Sequence, residues 1–405
     1  MNHDFVVIGG GIIGTSIARA LRRRHPDASI LLLEKEEAVG FHSSGRNSGV
    51  LHAGFYYTAD SLKARFCRDG NLALREYILS KALPLNPCGK LVVAKDETEV
   101  PRLHELARRA EANRVEVELV DAARARAIEP RVRTHGLALW SPNTATSDPV
   151  AVLRAMQEDA RAEGIVLRTG CRYEGRTDGG VRTNLGVMKA RYIVNGAGLH
   201  ADKVAADFGF SREYRILPFK GLYLYGSEPP GSFRTNIYPV PDLRNPFLGV
   251  HFTVTVDGRA KIGPTAIPAL WREQYQGLDR FNLAEFVEIA WREAGLFLGA
   301  GFDFRSLALE EVRKHSRAHL VRLASALAEH VRLTDYPTWG RPGIRAQLIH
   351  VPTRRLEMDF RMEGDSGSFH VLNAVSPAWT CSLPFAEHVV DQLDKARNGT
   401  PRPST

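Results

Sequence analysis

Cysteine is scarce: Cys67, Cys88, Cys171 and Cys381 are the only four in 405 residues, and none sits in a C-x-x-C pair. That excludes a disulfide framework and a structural zinc site, and it fits a reducing cytoplasm. Long apolar runs are missing too, since no stretch approaches the ~18 residues of a spanning helix. The apolar start DFVVIGGGIIG is followed, not preceded, by Arg22-Arg23-Arg24 and has no small-residue cleavage site, so it does not read as a secretory signal. His315 and His319 stand four apart without the glutamate of an HExxH motif, which makes them a solvated face; no metal site is expected. Arg108-Arg109, flanked by Glu105 and Glu111, has the look of an exposed helix face. Basic residues nowhere cluster with interleaved aromatics, so nucleic acid is not an expected partner.

What is present is a globular composition, 44% hydrophobic and 25% charged, with 54 Lys+Arg against 46 Asp+Glu and a formal charge of +8. Such a surplus suits an anionic cofactor, an acidic substrate or a transient approach to anionic lipid. At roughly 150 residues per domain the length implies two or three domains.

Phe5–Ile8 is a short apolar run ending in Gly9-Gly10-Gly11, as a buried strand meets a tight turn. Ile13, Ile17, Ala18, Ala20 and Leu21 then recur at helical spacing up to about Arg24, and Ser29–Leu33 is a second strand. Strand, helix and strand in this order imply a parallel sheet. Further strands are expected at Lys90–Ala94, Ile165–Arg168, Tyr192–Val194 and Phe369–Leu372, with helices at Val100–Asn113, Pro149–Glu163 and from Pro377 to about Asp394. Between 215 and 265 short segments punctuated by Pro and Gly predict an antiparallel sheet, and 283–333 reads as helical. The expected fold class is therefore α/β: a Rossmann-like domain with a parallel sheet, built from 1–80, 141–213 and 336–395. Into it is inserted a substrate domain of antiparallel sheet plus helices, 81–140 and 214–335. A disordered tail is expected at 396–405.

Gly9-x-Gly11-x-x-Gly14 places three glycines where a turn, a backbone approach to pyrophosphate and a helix–strand contact each need one. The helix that follows aims its N–H groups and positive dipole end at the phosphates. Glu34 lies twenty residues past Gly14, at the end of the next strand, where its carboxylate accepts from an adenosine ribose and would repel a 2′-phosphate. The segment after it decides between nicotinamide and flavin. Ser43, Ser44, Asn47 and Ser48 offer hydrogen bonds and Gly49 allows close approach to a flat ring, with His52, Tyr56 and Tyr57 beyond.

With the GGGIIG turn, GRNSGVLHAGFYY (45–57) resembles the L-2-hydroxyglutarate dehydrogenase/oxidase branch of the D-amino-acid-oxidase-like flavoproteins. The match continues in order through CGKLVVA (88–94), PFKGLYL (218–224), NIYPVPD (236–242), FLGVHFT (247–253), GIRAQ (343–347) and LNAVSPAWTCS (372–382). The resemblance implies noncovalent FAD and oxidation of an L-2-hydroxy acid, most plausibly L-2-hydroxyglutarate, to the 2-oxo acid, with electrons passing to a quinone or to oxygen. It extends the cofactor-contacting set to Ile12, Ile13, Lys35, Arg46, Cys171, Gly196, Ala197, Gly343, Ser376, Pro377, Ala378 and Thr380. The few cysteines and the basic surplus fit a cytoplasmic protein that can sit peripherally at the inner face of the membrane. Three departures bear on the substrate more than on the chemistry: Lys220 for an arginine, Ser147-Asp148-Pro149 for a Tyr-Arg pair, and Trp379 for a small residue.

The residues supply the same chemistry. Oxidising an α-hydroxy acid needs a cation for the carboxylate, a base for the hydroxyl proton and a hydride acceptor. Arg345 brings a planar fork and Lys220 a point charge, a pair suited to a dicarboxylate. His52 and His251 are both candidates for the base. Ser376-Pro377 reads as an N-cap followed by an N1 proline, opening a helix whose positive end would favour the charge of a reduced flavin. The alternative reading keeps the flavin and oxidises the C–N bond of an amino acid or secondary amine.

Overall fold

The computed structural model describes residues 2–241, 248–299 and 304–399, the side chains of 304–307 excepted. Asp242 and Phe247, at the ends of two matched segments, lie outside the described residues, as do 400–405 of the expected tail. The part of that tail that is described continues a helix, Ala378–Arg397.

The chain divides into two units. The first comprises Met1–Asn47, Pro149–Pro218 and Arg345–Thr405, and the second Ser48–Asp148 and Phe219–Ile344. The division differs from the expected one, which placed 48–80, 141–148 and 336–344 with the first and 214–218 with the second. The reason is strand pairing. Val50–Leu51 and Leu85–Asn86 both pair antiparallel with Ala145–Ser147 in a small three-stranded sheet, and Thr338–Trp339 pairs with Leu224–Tyr225. Two-residue strands carry no readable periodicity.

In the first unit, Asn2–Ile8 is flanked in parallel by Ile30–Leu33 and Gly186–Asn195, with Val166–Arg168 and Ser368–Asn373 extending the parallel run on the two sides. Phe5–Ile8, Ile30–Leu33 and Ser368–Asn373 are buried on both faces, which is why they read as continuous apolar runs rather than alternating ones. Antiparallel strands Gly180–Thr183 and Tyr173–Thr177 add an edge to Gly186–Asn195. The helix Ile12–Arg24 buries Ile17, Ala18, Ala20 and Leu21. Its basic end is anchored to the helix Ala378–Arg397 by Arg23–Glu387 and Arg24–Asp391, so this part of the cationic surplus is already paired. That last helix begins at Ala378. Pro377 holds the N-cap position without a side-chain hydrogen bond, which corrects the reading of Ser376 as the cap.

The second unit is built on an eight-stranded sheet. Its central strands run in the order Ala260–Gly263, His251–Val254, Asn236–Pro239, Lys90–Val93, Leu137–Ser141. All these neighbours are antiparallel except Asn236–Pro239 with Lys90–Val93, a parallel pair. One face carries Leu91, Ile237, Phe252 and Ile262, packed with Leu320, Ala324 and Leu327 into an apolar core. The opposite face carries the alternate residues, and it is there that polar groups gather. Among the described residues no helix is long and apolar enough to cross a membrane.

Candidate active site

The glycine turn in the first unit is shaped by backbone approach. Gly9 has φ +107°, and a Cβ there would lie 2.5 Å from the Gly196 carbonyl oxygen. A Cβ on Gly14 would lie 1.9 Å from the Gly9 oxygen, so the helix meets the strand at a distance only hydrogen permits. The Ile12 N–H donates to Ser44 Oγ (2.9 Å), while helix geometry leaves the N–H groups of Ile13 and Gly14 without an intrahelical acceptor. Glu34 accepts at one carboxylate oxygen from the Gly10 N–H (3.1 Å) and at the other from the Glu36 N–H (3.0 Å). An acidic group is thus fixed beside the turn, twenty residues past Gly14.

Supporting contacts hold this turn. Gln157, buried on the helix Pro149–Ala162, donates to the Gly10 carbonyl at 2.7 Å. Asn195 accepts from the Ala197 N–H (3.1 Å) and donates to the Ala201 carbonyl (2.8 Å), setting the path of Gly196-Ala197. The Cys171 N–H bonds the Glu34 carbonyl (2.9 Å), while its side chain packs in the core with Val6 and Leu31. Asn47 ties back to the carbonyls of Ser43 and Ser44, and Arg46 lies over the Phe41 ring. Lys35 pairs with Glu36. Ser376 is exposed, whereas Ala378 and Thr380 are buried in the first turn of their helix. A glycine cradle closed to side chains, helix N–H groups without intrahelical acceptors and a carboxylate fixed beside the turn together fit FAD.

In the second unit Gly49, at φ +76°, has its carbonyl held by both the N–H (2.8 Å) and the hydroxyl (3.0 Å) of Ser147. The serine at the second departure therefore fixes the flavin-loop backbone. His52 follows, its carbonyl accepting from Asn71 Nδ2 (3.1 Å) and Cys67 Sγ (3.3 Å) on the helix Leu62–Ser80. The imidazole is enclosed by protein, although the residue as a whole is only partly buried. Burial, then the charges of Lys90 and His251, hold its pKa well below the usual histidine range, so it is neutral at pH 7.

Strand register explains why His251 and Lys90 reach it. Two cross-strand rows lie on the polar face of the large sheet. One runs Lys261, Thr253, Asn236, Lys90, Ser141; the other runs Gly263, His251, Tyr238, Val92, Leu139. His251 stacks on Tyr238, and its Nδ1 lies 2.7 Å from the Gly249 carbonyl. A proton on Nδ1 leaves the lone pair on Nε2. Lys90 Nζ sits 4.7–5.0 Å from the rings of Tyr238, Tyr56 and Phe55. Lys261 Nζ lies over Tyr223 and bonds the Ser48 carbonyl at 3.4 Å. Burial lowers the Lys90 pKa to about 7 and that of Lys261 to about 8.

Both sequence-derived histidines thus come together. Lys220, half-buried on the strand Tyr214–Gly221, has its pKa lowered by burial, and its carbonyl accepts from Thr265 Oγ1. Arg345 lies on the strand Gly343–His350, partly exposed. Lys90, Tyr238, Lys261, Asn71 and Gln157 escaped the sequence reading. For Lys90 a signal existed: a lone charge in phase with Val92 and Ala94 on the buried side of a strand.

A model of FAD dependent oxidoreductases matches residues 4–392. The chain belongs to the FAD-dependent oxidoreductases. It is 36% identical to a mitochondrial L-2-hydroxyglutarate dehydrogenase of Nematostella vectensis, covering 96% of this chain and 90% of that one. It is 35% identical to L-2-hydroxyglutarate dehydrogenase of Salmonella houtenae, over 99% and 95%. Among solved structures it resembles the FAD-bound L-alpha-glycerophosphate oxidase of Mycoplasma pneumoniae (TM-score 0.75, 20% identity, 100% and 97% covered). The glycine oxidase of Geobacillus kaustophilus is similar in fold (TM-score 0.72, 18% identity, 100% and 96% covered). The oxidoreductase therefore has the expected fold class and the expected cofactor.

Proposed function

We propose that this FAD-dependent oxidoreductase converts L-2-hydroxyglutarate to its 2-oxo acid. The observation that carries the reading is that His52, enclosed and neutral at pH 7, stands within electrostatic reach of His251 on the polar face of the large sheet. Full-length similarity to L-2-hydroxyglutarate dehydrogenases supports it.

His52 is the proton acceptor. It is neutral at pH 7, and its backbone is fixed by Asn71 and Cys67. It takes the hydroxyl proton as the C–O bond of the substrate becomes C=O. His251, held at Nδ1 and stacked on Tyr238, is the more constrained ring and supports His52. Arg345 binds one carboxylate as a fork, and Lys220 adds a second cation for a dicarboxylate. Gly9, Gly11, Gly14, Glu34 and Ser44 hold the cofactor. Bound FAD supplies the acceptor for the α-hydrogen and its electron pair. The acceptor downstream of the cofactor would be a quinone or oxygen, and a quinone would bring the basic protein to a membrane face.

Two substitutions test the assignment. His52→Gln is expected to lower kcat by roughly 10²- to 10⁴-fold with flavin retained, and His251→Gln by less. Equal activity in His52→Gln and the unaltered protein contradicts it.

A further inference from the structure

Lys90 has no obvious reason to be a lysine. It opens a strand whose other residues are apolar, and its side chain is fully buried. Its Nζ has no hydrogen-bond partner among the described residues. An ammonium in that position is costly unless something faces it. What faces it is aromatic: Phe55, Tyr56 and Tyr238, with ring centroids at 5.0, 4.8 and 4.7 Å. Ring faces attract a cation without neutralising it, so the charge remains to act on its surroundings. A methionine would fill the same volume with no such cost.

The same rings lead to the two histidines. Tyr238 carries His251 on its face, centroids 3.7 Å apart. Phe55 and Tyr56 follow His52 by three and four residues in the same loop. Other titratable groups stand around the cluster. Cys67, on the helix Leu62–Ser80, and Cys88 both act on Lys90, and no carboxylate is among the groups that do so. Tyr223 and Tyr56 act on Tyr238, and Lys261 lies three strands away in the same row as Lys90. Arg109, from the helix Val100–Ala112, reaches the Tyr56 carbonyl and is paired with Glu105.

We propose that Lys90 is a positioning residue for the chemistry: its caged ammonium sets the charge state of the His52–His251 pair and keeps His52 able to accept a proton. This rests on His52 being the proton acceptor. The sign is direct. Positive charge beside an imidazole opposes its protonation, so loss of Lys90 lets His52 bind a proton at higher pH. The acidic limb of activity then moves toward neutrality. A purely packing role for Lys90 moves stability and not this limb.

The test is ring titration of His52 by NMR in the FAD-loaded protein, with and without Lys90→Met. It needs no substrate, so it stands even if the substrate assignment fails. The expected result is a His52 midpoint raised by roughly one pH unit in Lys90→Met and little changed in Lys90→Arg. A second arm uses Lys90→Gln, which also removes the charge and is expected to raise the His52 midpoint by a similar amount. That second arm applies even if Lys90→Met does not fold. A His52 midpoint unmoved in whichever of Lys90→Met and Lys90→Gln folds overturns the proposal.

Discussion

Asn71 Nδ2 lies 3.1 Å from the carbonyl oxygen of His52, and the same amide reaches the carbonyls of Leu51 and Asn143 at 3.1 Å each. One buried side chain therefore fixes the backbone that carries the proposed proton acceptor. Asn71→Ala leaves these carbonyls without the amide. It should cost about 1–3 kcal/mol of stability, measured by denaturant unfolding. It should also lower kcat more than it changes KM, because the ring loses position while the carboxylate contacts remain.

Carboxylate recognition is assigned to Arg345. Arg345→Ala should raise KM for the hydroxy acid by roughly 10- to 100-fold, the value of a charge-assisted bidentate contact. Flavin content, read from absorbance of the purified protein, should not change. An unchanged KM removes Arg345 from the substrate site.

Lys90 also links stability to pH. Its pKa is about 7 in the folded protein against 10.5 when exposed, so between these values the unfolded chain binds more protons. Stability then rises as pH climbs from about 7 toward 10.5, and the penalty is fully present below 7. Lys90→Met lacks it. The variant should be more stable at pH 6–7, by about 1–3 kcal/mol, with the gap closing by pH 10. Parallel unfolding curves at the two pH values check this, and a constant gap contradicts it.

The cofactor cradle was legible in the sequence because its demands are local. A strand, three glycines and an acidic residue twenty positions on are needed whatever the rest of the chain does, and Gly9, Gly14 and Glu34 stand where that logic puts them. The proposal for His52 was reachable in the same way, since it is the first histidine after the polar loop. The Lys90–Tyr238–His251 cluster was not. It depends on Asn236 pairing in parallel with Lys90, 146 residues away, and on the adjacent antiparallel register that sets Tyr238 against His251. No local periodicity encodes either. The unit boundaries slipped where two-residue strands decide membership. Ser376 was misread because a serine before a proline has the pattern of a cap, while this helix starts one residue later.

The central claim is the substrate class. The most direct measurement is anaerobic reduction of the bound flavin across a panel of 2-hydroxy acids, amino acids and secondary amines, with products identified. The account predicts fastest bleaching by L-2-hydroxyglutarate, forming the 2-oxo acid with no release of ammonia. Bleaching by an amino acid or amine while L-2-hydroxyglutarate leaves the flavin oxidised would contradict it.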